Sequence, residues 1–189
     1  MAQPRRRATR SDAESNRARI IEIARAAFTS SPDATLQSIA KAAGVGQGTM
    51  YRHFPHREAL LLTVYRNDVE ALIASAPRLL EEHQPMDALR LWFDQLAAYG
   101  RIKQGAALAI EAATRADLGS DYFLPVIAAL DQLLTAGKAA KQLRPDVDAD
   151  EVLQLVSFLW KGDSGPDWQE RADHMLAIVM DGLRARTRG

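Results

Sequence analysis

The stretch from Thr35 to Pro55, TLQSIAKAAGVGQGTMYRHFP, leaves little freedom to the chain that contains it. Leu36, Ile39, Ala40 and Ala43 recur at three- and four-residue spacing, which is one face of a helix. Thr35 stands where a helix cap belongs. Gly44 stops the helix, because glycine takes the left-handed conformation cheaply. QGTMYRHF then reads as a second, short helix, ended by Pro55, since the residue before a proline avoids helical geometry. Two helices joined by so tight a turn form a helix-turn-helix. Met50 and Phe54, four apart, should face back onto Ile39 and Val45, while Gln47, Thr49, Tyr51 and Arg52 point elsewhere.

The remainder also reads as helix. Ile20, Ile23, Ala24, Ala27 and Phe28 carry the period before the motif, and SSPD breaks it. A long helical run starts near Arg57, with Pro77 expected to kink or end it. DALRLWFDQLAAYG, QGAALAIEAATRAD, YFLPVIAALDQLLTAGKAAKQL, EVLQLVSFLW and WQERADHMLAIVMDGLRAR follow, separated by HQP, DLGS, RPD and KGDSGPD. Asp148 to Glu151 resembles a capping box. No alternating strand pattern and no internal repeat is visible. The expected fold is all-α with about nine helices: a flexible basic arm over 1–11, a helix-turn-helix unit over 12–56, and a larger helical unit over 57–189.

Charge separates the same regions. Residues 1–66 carry eleven Lys and Arg against five Asp and Glu, a net +6, and residues 67–189 carry a balancing −6. A basic first third suits a polyanion such as nucleic acid. The chain has no cysteine, which excludes disulfides and thiol chemistry. The start, MAQPRRRATR, lacks the apolar core of a secretion signal, and no run approaches the roughly 18 apolar residues of a membrane span. The expectation is a cytoplasmic protein without membrane contact.

Within the motif, the Gln47 amide has the donor and acceptor needed to read a base edge. Gly48 removes a side chain where the helix approaches the groove. Thr49 suits a phosphate or a thymine methyl. Thr35, Tyr51 and His53 offer hydrogen bonds to phosphate oxygens, with Arg52 beside them. Arg5, Arg6 and Arg7 read either as groove or phosphate contacts from the arm or as a solvated tail.

The span from Arg17 to about Leu62 resembles the DNA-binding domain of TetR-type transcriptional regulators. The residues that carry the likeness run from Thr35 to Leu60: the Gly-Val turn at 44–45, Gly48-Thr49, Tyr51, His53-Phe54, and then Arg57-Glu58 with Leu60. Ala88 to Phe93 and LRPDVDADEVLQLV at 143–156 resemble the C-terminal domain of one subgroup. The resemblance implies a homodimer with one three-helix head per subunit and a larger helical domain that binds a small effector. It places Gln47, Gly48 and Thr49 nearest the bases, and Thr35, Tyr51, His53 and Arg57 on the backbone. His56 departs from the usual Ser, Thr or Asn cap, which implies a looser start to the helix that joins the two domains.

For the effector, Trp92, Leu96 and Tyr99 lie along one helix face, Ile110, Glu111, Thr114 and Arg115 on the next helix, and Phe123 and Ile127 on a third. They read either as pocket lining or as ordinary core, with Glu111 and Arg115 as a surface pair. Leu155, Val156, Leu159 and Trp160 form one apolar stripe, and Met175, Ile178, Val179 and Met180 another. These read as the dimer interface, or as helices central to the bundle.

GDSGP at 162–166 matches the nucleophile segment of chymotrypsin-like proteases, but that chemistry needs a base and an acid held on β-barrels. His53 and His56 flank the Phe54-Pro55 break and have no carboxylate pair for a metal. No cofactor, metal or catalytic set is expected. The reading is a ligand-responsive regulator, a repressor by preference, that binds a near-palindromic operator in double-stranded DNA as a homodimer and is released by a small molecule. The alternatives are a helical ligand-binding or scaffold protein that never meets DNA, and an all-helical enzyme.

Overall fold

The computed structural model describes residues 5–31, 33–105, 123–161 and 167–185. Nine helices form among these residues: α1 (Arg5–Ser30), α2 (Leu36–Ala42), α3 (Gln47–His53), α4 (Arg57–Glu82), α5 (Pro85–Gly105), α6 (Phe123–Ala139), α7 (Ala149–Leu155), α8 (Phe158–Lys161) and α9 (Trp168–Leu183). No strand accompanies them among the described residues. A single antiparallel bridge pairs Leu143 with Arg184 and ties the end of α9 to the turn after α6. The expectation of an all-helical chain holds.

Several boundaries differ from the sequence reading. α1 begins at Arg5, so Arg5, Arg6 and Arg7 occupy its first turn where a flexible arm was expected. Nothing between Arg5 and Ser30 breaks a helix, and Arg, Ala and Glu all favour one. α4 runs through Pro77 to Glu82 instead of ending there. Pro77 has no N–H for the carbonyl of Ile73, one turn earlier. The neighbouring Leu72 carbonyl accepts from Trp92 Nε1 of α5 at 3.0 Å and, within the helix, from Ser75 Oγ at 2.8 Å, so one tertiary hydrogen bond ties this part of α4 to α5. α5 continues through Gly100 to Gly105, and the segment expected as one helix to Trp160 is split at Val156–Ser157 into α7 and α8.

The apolar residues gather into two clusters. The first joins α1, α2 and α3 to the start of α4 through Ile20, Ala24, Phe28, Ile39, Met50, Phe54, Leu60 and Val64, and ends at Val69. The second begins at Leu72 and takes in α5 to α9 through Leu89, Trp92, Phe93, Leu133, Val152 and Leu176. α4 therefore serves both cores, and the packing divides within it. Ile73, Tyr99 and Val126 touch both clusters, which places them at the junction.

Candidate nucleic-acid interface

The capping signals of the helix-turn-helix act as their chemistry dictates. The Ser38 N–H donates to Thr35 Oγ1 at 3.2 Å, and the Thr35 N–H donates to Ser38 Oγ at 3.1 Å. This reciprocal box satisfies two of the free donors at the start of α2. Gly44 has φ +64°, the left-handed turn that a Cβ disfavours. The Val45 N–H returns to the Ala40 carbonyl at 3.0 Å, and α3 starts from Gly46.

α3 is held from one side only. Met50 and Phe54 are buried with Leu36, Ile39 and Ala40 beneath them, and Val45 packs against them. Gln47, Gly48, Tyr51 and Arg52 are exposed, Tyr51 at 48%, and Thr49 and His53 are half-buried. Tyr51 thus presents about half of a large aromatic side chain on the outer face of a seven-residue helix. Gly48 points the same way. A Cβ there would meet nothing within 4 Å, and its backbone needs no positive φ. Glycine inside a helix costs about 1 kcal/mol relative to alanine, and nothing in the fold offsets that cost here.

Arg57 turns inward. Its Nε donates to the Ala34 carbonyl at 3.0 Å, and its guanidinium carbon lies 5.1 Å from the centre of the Phe28 ring. It thus pins the α1–α2 turn to the start of α4, a role that sequence reasoning missed because Ala34 is 23 residues away. Arg52 Nε donates to the Gly48 carbonyl at 3.0 Å and stays exposed on the outer face. Arg17 lies 5.6 Å over the Phe54 ring. His56 does cap α4: its Nδ1 accepts the Ala59 N–H at 3.2 Å, with Glu58 3.3 Å away. The imidazole takes the place of the short polar side chain usual at that position.

In the helical body, the described members of the expected pocket differ in burial. Trp92 is fully buried with its Nε1 on Leu72, and Leu96 is 2% exposed, so both are core. Tyr99 is half-buried, its ring 5.0 Å from that of Tyr65. Burial, reinforced by Tyr65, pushes the Tyr99 phenol well above the usual range, which keeps it protonated. Phe123 is 52% exposed. Glu111 and Arg115, with Ile110 and Thr114, lie outside the described residues, as does GDSGP at 162–166.

The two stripes expected at the dimer interface prove two-sided. Val156 and Leu159 are buried in the subunit's own core, and Met175 and Val179 are half-buried. Leu155 and Ile178 are the exposed members, at 60% and 58%. The side chain of Trp160 lies outside the described residues.

A capped helix, a glycine turn and a one-sided helix on a basic head, mounted on an all-helical body, define a helix-turn-helix DNA-binding regulator. Residues 20–64 match the family described as bacterial regulatory proteins, tetR family. Residues 84–185 match the C-terminal domain of SbtR-like transcriptional regulators. The TetR transcriptional regulator SCO0520 from Streptomyces coelicolor is 37% identical with a TM-score of 0.79, covering 90% of this chain and 99% of its own. A TetR regulatory protein from Mycobacterium vanbaalenii is 29% identical with a TM-score of 0.72, covering 93% and 99%. An HTH-type transcriptional regulator of Staphylococcus aureus (strain USA300) is 31% identical over 93 residues, 48% of this chain. The chain spans about half the length of the curated relatives it matches. The chain belongs to the TetR family of DNA-binding transcriptional regulators. No described helix is long and apolar enough to cross a membrane.

Proposed function

We propose that the chain acts as a homodimeric repressor in the cytoplasm, binds a near-palindromic operator, and leaves it when a small molecule binds the helical body. The observation that carries the reading is the outer face of α3, where Gln47, Gly48, Tyr51 and Arg52 are exposed. On this reading Gln47, Gly48 and Thr49 meet the bases in the major groove. Thr35, Tyr51, Arg52 and His53 meet the phosphates, and Arg57 steadies the head from within. Two heads related by two-fold symmetry then address successive major grooves about 34–36 Å apart.

The head is the unit up to the first turns of α4, and the rest of the chain is the effector-binding and dimerisation unit. Tyr99 and Phe123, with Glu111 and Arg115, remain the effector-pocket candidates, and Leu155 and Ile178 are the surface residues suited to a second subunit. A ligand releases DNA only if it binds the DNA-incompetent arrangement more tightly than the competent one. α4 carries the change, because its residues pack in both cores.

The test is selection of duplexes from a random library by the purified protein at near-physiological salt. Enrichment of an inverted repeat supports the reading. Gln47→Ala should then relax preference at one position of each half-site, by about 1–3 kcal/mol. Tyr51→Phe should weaken all sites alike. Binding without any enriched sequence, vanishing as salt rises, would count against it.

A further inference from the structure

Arg17 stands one turn before the core of the head begins. The buried stripe of α1 runs through Ile20, Ile21, Ala24 and Phe28, and three residues back along that face the chain carries an arginine. The residue is exposed, and its guanidinium carbon lies 5.6 Å from the centre of the Phe54 ring. Phe54 caps the end of α3, where its N–H donates to the Met50 carbonyl at 2.8 Å, and it is 2% exposed. We propose that Arg17 is a further contact to the DNA backbone, supplied by α1 and held in place by Phe54 at the end of α3. The proposal rests on the reading of α3 as the helix that enters the groove.

A guanidinium that lies over an aromatic ring still presents its N–H groups in its own plane, where they match phosphate oxygens. Phe54 is fixed to the backbone of α3, so its ring ties Arg17 to the end of that helix and not to α1 alone. The same end of α3 carries Tyr51, Arg52 and His53. A helix lying in a major groove about 12 Å wide has a phosphate backbone on each flank. Groups at its end face that backbone and fix register, whereas the base edges are read from its outer face. With Arg17 the head grips the strand from α1 and α3 at once. The plain alternative is an arginine at the rim that only covers Phe54 with its stem. Salt separates the two, because a phosphate contact displaces counterions from DNA and a rim residue does not.

Fluorescence anisotropy of the full chain with a mixed-sequence duplex of about three turns, about 30 base pairs, read from about 50 to 200 mM salt, tests the contact. Arg17→Met keeps an apolar cover on Phe54 and removes the charge. It should weaken binding at the lower salt by about tenfold and reduce the slope of log affinity against log salt by about 0.9 for each head bound. Arg17→Lys should keep the slope, because the charge remains. Arg19, exposed two residues further on and bonded to Asn16, lies on another face of α1. Arg19→Met should therefore leave the slope close to that of the wild type. Circular dichroism checks that each variant keeps its helix content. Loss of affinity with an unchanged slope would make Arg17 a cover for Phe54 and overturn the proposal. Equal loss of slope in Arg17→Met and Arg19→Met would overturn it too, since overall charge would then account for both. No duplex binding by the wild type at about 50 mM salt would strike the reading of α3 itself, and this contact with it.

Discussion

Arg57 reaches back from the first turn of α4 to the carbonyl of Ala34, 3.0 Å from its Nε, and closes the loop between α1 and α2. The same guanidinium covers Phe28, itself 3% exposed, so one side chain joins α4 to α1 and to the loop before α2. Arg57→Ala removes a charge-assisted hydrogen bond and a cation–π contact. The expected loss is about 1–3 kcal/mol of stability, read as a lower midpoint in urea unfolding. Arg57→Lys should recover only part of it, because an ammonium cannot lie flat on the ring while donating to Ala34.

Asp68 is paired with Arg25 across the head–body junction, and its side chain is only 12% exposed. Burial raises its carboxyl above the ordinary 3.8, more than the Arg25 guanidinium lowers it. The folded protein therefore holds this proton more tightly than the unfolded chain does. Stability from this group is fully present below pH 3.8 and is lost as pH rises through the folded value. Asp68→Asn, which mimics the protonated form, should flatten that part of the stability profile. The gap between variant and wild type should shift in the variant's favour as pH rises from about 4 towards neutrality. Thermal unfolding across that range checks both the sign and the window.

Gly137 lies in α6 with Leu143 folded directly onto it. A Cβ at this position would come 2.4 Å from Leu143 Cδ1 and 2.7 Å from its Cγ. Leu143 is 2% exposed and its backbone is bridged to Arg184, so it has little room to withdraw. Gly137→Ala should destabilise by about 1–3 kcal/mol, although alanine is the better helix former. The same change at Gly48, where nothing stands within 4 Å, should leave stability equal or higher. Parallel unfolding curves of the two variants separate packing from propensity.

Leu155 and Ile178 are more than half exposed. The double change Leu155→Asp and Ile178→Asp should leave the subunit folded and shift a dimer to monomer, as measured by analytical ultracentrifugation. A dimer of unchanged affinity would move the interface away from these residues.

The residues that could be read from sequence are those whose partners are near in the chain. Thr35 and Ser38, Gly44, the Met50–Phe54 pair and the Asp148 cap each act within four residues, and their chemistry leaves few options. The DNA-binding head, the helical class and the turn could therefore be seen before any fold was known. Trp92 could not be assigned between pocket and core, because its burial depends on Leu72, 20 residues away. The inward turn of Arg57 depends on Ala34, and the junction latch on Arg25 meeting Asp68 across 43 residues. Local sequence determined which segments are helices and which short helix stands out from the head. Tertiary packing alone decided which faces of those helices are spent within the subunit, because helical period states that a face is apolar but not what covers it.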